Sequence, residues 1–267
     1  ALGLTISLEL LPIAALIGGV LALRWLLDRK SKALCLHYIR TLAVTALLAF
    51  GATRGLADLA PHCDTLSPAY LAALLTVASG LSLLGLAPPL PRLAMALTMA
   101  AIAAAAAAVL LALAPQCSSG PFVMLDPLVQ KFWYANVREG MPVWRQDFGV
   151  ALRLVVPPLV GLYAAVQLWL SSSGWLRRFW FEYAVIMAGA LALGLVVSRS
   201  AGFAAALGVV PLGWLLRDWI VRARTMRSAP KRIGVIALAV LVVMPDLPLI
   251  AARGLDRSKP ATLPSAQ

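Results

Sequence analysis

Residues 94–114 read AMALTMAAIAAAAAAVLLALA, a run without a single charge. Wound as an α-helix, such a run crosses the hydrocarbon core of a bilayer, which takes about 20 predominantly apolar residues. It has company. The 267-residue chain is 61% hydrophobic and only 13% charged, and its mean hydropathy is +0.88. A soluble domain of this length would need a polar exterior that this composition cannot supply. The composition therefore predicts an all-α, polytopic transmembrane helix bundle.

Outward from that run, the pattern predicts about eight spans, near 5–27, 37–57, 68–87, 93–114, 149–170, 180–198, 203–221 and 233–251. The seventh is the weakest, because Gly208, Pro211 and Gly213 interrupt it and Arg217 and Asp218 sit near its end. Spans 1–4 occupy 1–114, a loop fills 115–148, spans 5–8 occupy 149–252, and DRSKPATLPSAQ makes a flexible tail within 253–267. The first residues, ALGLTIS, lack a methionine and a charged leader, so the chain reads as an internal piece of a longer polypeptide.

The net charge of +12 invites a nucleic-acid reading. Basic residues here stand in short clusters beside apolar spans, where they set topology, and no soluble basic domain accompanies them. Nucleic acid is therefore excluded as a partner. The larger share follows spans 1, 3, 5 and 7, including Arg24, Arg29, Lys30, Lys32, Arg92, Arg177, Arg178 and Arg222. By the positive-inside rule those turns face the cytoplasm. Residue 1 and the 115–148 loop then face outward, which is the periplasm, across the inner (cytoplasmic) membrane, if the host is a Gram-negative bacterium.

On that topology Cys63 and Cys117 both fall at the outer ends of spans, where thiols oxidise, whereas Cys35 falls inside. The expectation is a Cys63–Cys117 disulfide. His37 and His62 fall on opposite sides, so they cannot share a metal or haem. The sequence requires no metal or other cofactor; a divalent cation, if one is used, belongs to the full-length protein.

In the outer loop, DPLVQKFWYANVREG (126–140) predicts one short helix with Asp126 as N-cap, Pro127 in the first turn and Gly140 at its end. Leu128, Phe132, Ala135 and Trp133 would form its apolar stripe. Such a helix lies along the membrane surface, either as a plain cap on the bundle or as a cover over an outward site. In the second case Lys131 and Arg138 could meet an anionic ligand and Glu139 a polar one.

Charges at membrane depth are functional candidates by default. Glu9, in TISLELLPI, lies near the outer end of span 1. Arg199, in the tight turn VVSRSAGF, could take a phosphate-like oxygen pair bidentately. Each is weighed against an ion pair or a snorkelling side chain. Asp246, between Pro245 and Pro248, reads as structural, and Arg153 and Glu182 as interface anchors.

Together the runs TISLELLPIAALIGG, HCDTLSPAYLAAL, PQCSSGPFVMLDPLVQKFWYANVREGMPV and VSRSAGFAAALGVVP resemble the membrane region of bacterial proteins assigned to the C-type glycosyltransferase superfamily. The most specific element is Cys-x-x-Gly-Pro…Asp-Pro…Trp…Val-x-Glu-x-x-Pro. Cys117, Gly120, Pro121, Asp126, Pro127, Trp133, Val137, Glu139 and Pro142 match it. Leu8, Glu9 and Pro12 match a second, Leu-Glu-x-x-Pro element. The resemblance implies an outward active site under loop helices and a polyprenyl-phosphate-linked sugar entering from the bilayer. It assigns Arg199 to the donor phosphate and places Glu9 near the activating carboxylate; no catalytic residue is otherwise nominated. Such enzymes carry their principal acidic motif in the first outer loop after the first span, and no counterpart stands here. The expectation is a piece inactive on its own. The alternative is a non-catalytic accessory subunit that packs against a larger membrane complex, an idea supported by the small residues Ala103–Ala108. A transporter is the weakest reading, since no inverted repeat is visible.

Overall fold

The computed structural model describes residues 3–4, 7–54, 58–120, 123–132 and 136–251. The expected tail at 253–267 and the stripe positions Trp133 and Ala135 lie outside the described residues, as does Pro121 of the motif. Every regular element among the described residues is helical, and seven helices are long and apolar enough to cross a membrane. The chain is a multi-pass membrane protein. It divides into two compact units, Ala1–Trp133 and Tyr134–Gln267.

The first unit holds α1 (Leu11–Leu27), α2 (Lys32–Thr53), α3 (Pro68–Leu86), α4 (Arg92–Leu113) and the short α5 (Pro127–Phe132). Proline sets several boundaries. Pro12 and Pro68 sit in first turns, where their missing N–H is no loss, and Pro88–Pro89 and Pro115 end α3 and α4. Two apolar clusters fill the unit. One joins Trp25, Cys35, Leu36, Ile39, Leu81 and Met95; the other joins Leu8, Ala46, Phe50, Leu66, Tyr70 and Leu71.

Cys63 and Cys117 are bonded, with Cα atoms 5.1 Å apart. Cys63 precedes α3 and Cys117 follows α4, so the bond closes the open end of the α3–α4 hairpin. Arg29 and Lys32 reach the carbonyls of Leu90 and Gly85 at the hairpin's other end. The unit thus keeps its disulfide and its basic cluster at opposite ends, as the charge pattern requires.

The second unit holds α6 (Phe148–Ser171), α7 (Gly174–Val196), α8 (Ala201–Thr225) and α9 (Ala229–Val243). Here small residues carry the packing. A Cβ added to Gly161 of α6 would lie 2.9 Å from the Gly208 Cα of α8 and 2.9 Å from the Met187 Cε of α7. Ala164, Ala165, Ala190 and Ala204 around this crossing are fully buried. The doubtful seventh span is therefore an intact 25-residue helix: Gly208 admits the neighbouring backbone, and Pro211 is accommodated in the helix interior. Pro157 and Pro158 likewise sit inside α6.

Two expectations need correction. The eighth span is not one helix: α9 has 15 residues, about 22 Å at 1.5 Å per residue, short of a bilayer core. Pro245 removes an amide donor just after it, and helical turns resume over 247–251. In the break, Asp246 is buried and accepts from Arg153 Nε at 3.1 Å and from Arg153 Nη2, so Arg153 is more than an interface anchor. Nor is 126–140 a single helix. Asp126 does cap, accepting from Leu128 N at 2.8 Å, but α5 has six residues and Val137 is extended. A separate 3-10 turn follows at Arg138–Gly140. A short helix exposed on all sides lacks the tertiary packing that would propagate it.

Candidate functional site

The sharp turn from α7 into α8 is where the second unit exposes its chemistry. Gly194 makes the turn possible, because a Cβ there would stand 2.6 Å from the Ala201 Cα. A 3-10 turn over Ser198–Ser200 joins the helices, with Ser198 and Ser200 buried and Arg199 exposed at the apex.

The segment before α6 is clamped onto this turn. Ser198 donates from its N and its Oγ to the Met141 carbonyl, at 3.1 and 2.6 Å. Gln146 Nε2 donates to Ser198 Oγ at 3.0 Å and to the Arg138 carbonyl. The bonds to and from Ser198 tie together residues more than fifty positions apart, and bring Arg138 and Glu139 beside Arg199.

A cleft of about 530 Å³ results, lined by Arg138, Glu139, Gln146, Asp147, Ser198 and Arg199 with Val150, Leu154 and Gly202 below. Arg138 Nη1 donates to Asp147 Oδ2 at 2.6 Å, with both side chains more than half exposed. An exposed pair of this kind contributes little stability, so a ligand can replace either partner. Guanidinium groups match the paired oxygens of a phosphate; Glu139 adds a carboxylate for a hydroxyl-bearing group. The cleft is suited to a polar, partly anionic headgroup.

Of the five residues chosen from sequence, Arg138, Glu139 and Arg199 share this cleft. The other two belong to the first unit. Glu9 is half-buried in a 3-10 turn, Leu8–Leu10, that runs directly into α1, its N donating to Ser7 Oγ at 3.4 Å. Lys131 is exposed on α5, its Nζ 5.6 Å from the centre of the Phe132 ring.

Sequence reading missed Gln146, Asp147 and Ser198. Gln146 and Asp147 form a polar pair directly before a span, and Ser198 adjoins the arginine already chosen; the pair carried a usable signal. It also missed a charged network beside the disulfide. Asp58 accepts from Arg54 Nη1 at 2.6 Å and pairs with His62 Nε2 at 2.9 Å. Arg54 also donates to Thr65 Oγ1 at 3.1 Å. The hydrogen bond to His62, with Arg54 adding to it, holds the Asp58 carboxyl below its ordinary value of 3.8. Arg54, Asp58 and His62 stand close together in the sequence just after α2, which was the available clue.

No family model, no curated protein and no solved structure matches the chain.

Proposed function

We propose that this chain is the membrane region of a C-type-like glycosyltransferase that takes a polyprenyl-phosphate-linked sugar at the periplasmic face of a bacterial inner membrane. One observation carries the reading: Arg138, Glu139 and Arg199, chosen as ligand-facing from sequence, line one cleft. Arg199 holds the donor phosphate, with Arg138 exchanging Asp147 for it. A carboxylate must then take the acceptor's proton or steady positive charge developing on the sugar. Glu139 stands in the cleft for that part; the resemblance places Glu9, in the first unit, only near such a carboxylate.

Native mass spectrometry with a short-chain polyprenyl-phosphate hexose tests the binding. R199Q is expected to weaken a one-to-one adduct about tenfold, the worth of a charge-assisted hydrogen bond. R145Q, an outer-loop change off the cleft, should leave it intact. An adduct indifferent to R199Q, or none, sinks the proposal.

A second reading, the accessory subunit, draws on α4. Only 6% of its most apolar stretch is buried, against 39% for α3, and Ala103, Ala104, Ala105, Ala107 and Ala108 are exposed. Small residues let another helix approach closely. Co-purification of a stoichiometric membrane partner, lost on A104L/A108L, would favour it.

A further inference from the structure

We infer that the basic end of the first unit holds the phosphate-bearing headgroup of an anionic glycerophospholipid. The site is separate from the cleft of the second unit and does not rest on the glycosyltransferase reading.

A pocket of about 190 Å³ opens there. Trp25, near the end of α1, forms part of its wall, with Arg29 from the α1–α2 turn and Lys32 at the start of α2. Pro88 and Pro89 follow from the exit of α3, then Met95 from the first turn of α4. Two cations line it and no acid does.

Both cations are fixed by the fold. Arg29 Nη2 donates to the Leu90 carbonyl and Lys32 Nζ to the Gly85 carbonyl, the latter at 2.9 Å. Each keeps donors in reserve, since a guanidinium carries five N–H bonds and an ammonium three. Long basic side chains normally lose rotamer freedom on meeting a ligand; here the fold has already ordered them. The N-terminus of α4 adds to the attraction. It has no side-chain cap, and its first helical bond is Met95 N to the Pro91 carbonyl. The amides ahead of Met95 are the kind of group that receives phosphate oxygens.

The surroundings select a lipid rather than free phosphate. Leu27, Leu86 and Leu93 are 65%, 81% and 72% exposed, and each lies close in sequence to lining residues. They offer an apolar flank for acyl chains. Basic pockets between transmembrane helices are a recurrent way to hold acidic headgroups.

The test is native mass spectrometry of the protein released from nanodiscs made with equal phosphatidylglycerol and phosphatidylcholine. Wild type is expected to retain phosphatidylglycerol selectively. R29Q/K32Q should reduce that retention about tenfold or more, in line with charge-assisted hydrogen bonds. K231Q/R232Q, which removes the same charge from exposed positions elsewhere, should not. R29K/K32R guards against a folding artefact: it keeps both charges and should retain the lipid. Equal retention of the two lipids overturns the assignment, as does equal loss in K231Q/R232Q. So does displacement of the lipid by millimolar inorganic phosphate.

Discussion

The first unit bundles four long helices and the second three with the shorter α9, and different forces close them. The first is tied by side chains: the Cys63–Cys117 bond, the Arg54–Asp58–His62 network, and Tyr70 Oη donating to the Cys63 carbonyl at 3.1 Å. The second has side-chain links too, Arg153 to Asp246 and Gln146 to Ser198, but its helices cross where side chains are absent, with Gly161 against Gly208 and Gly194 against Ala201. In a bilayer, helices gain little from burying apolar surface, because lipid is equally apolar. Close backbone contact and specific links are the two remedies; the first unit adds a covalent link, and the second adds glycine-mediated backbone contact.

That contrast can be broken experimentally. The largest effect belongs to the disulfide. C63A/C117A releases a loop of 54 residues, and the entropy of closing such a loop corresponds to about 4 kcal/mol. Thermal denaturation in detergent should show a large drop, and a reducing agent should reproduce it in wild type. Insensitivity to reductant would mean that the first unit does not depend on its covalent tie. Next comes G161L, which forces a side chain against the Gly208 backbone. Overpacking of this kind costs roughly 1–3 kcal/mol, and the variant should lower the melting temperature equally with and without reductant. The smallest effect concerns pH. The carboxyl of Asp58 is depressed, so its contribution is present above the ordinary aspartate value and fades as pH falls through the depressed one. Wild type and D58N should differ near pH 6, and the gap should narrow as pH falls below the ordinary aspartate value. A gap that does not narrow there would remove the charge from the explanation.

The same contrast divides what the sequence discloses. The helical membrane fold was legible from composition and apolar run length, since a bilayer demands both. The disulfide was legible because Cys63 and Cys117 share a topological side while Cys35 does not. Glycine misled. Gly208, Pro211 and Gly213 lower intrinsic helix propensity and marked the seventh span as doubtful; in the bundle Gly208 is what lets α6 and α8 touch. Local propensity contains no information about a neighbour that arrives from 47 residues upstream, as Gly161 does. The break at Asp246 was half legible: the flanking prolines signalled it, but the bond from Arg153 depends on tertiary placement. Arg138, Glu139 and Arg199 could be chosen singly from charge and position. That Gln146 and Ser198 would clasp them into one cleft could not, because those bonds form only after α6 and the α7–α8 turn are in place.

Pro157 and Pro158 leave α6 two rungs short, since neither can donate to the carbonyls of Arg153 and Leu154 one turn back. Leu154 faces the cleft and Arg153 grips Asp246. The two missing rungs therefore fall on the one turn of α6 that both lines the cleft and pairs with the segment after α9.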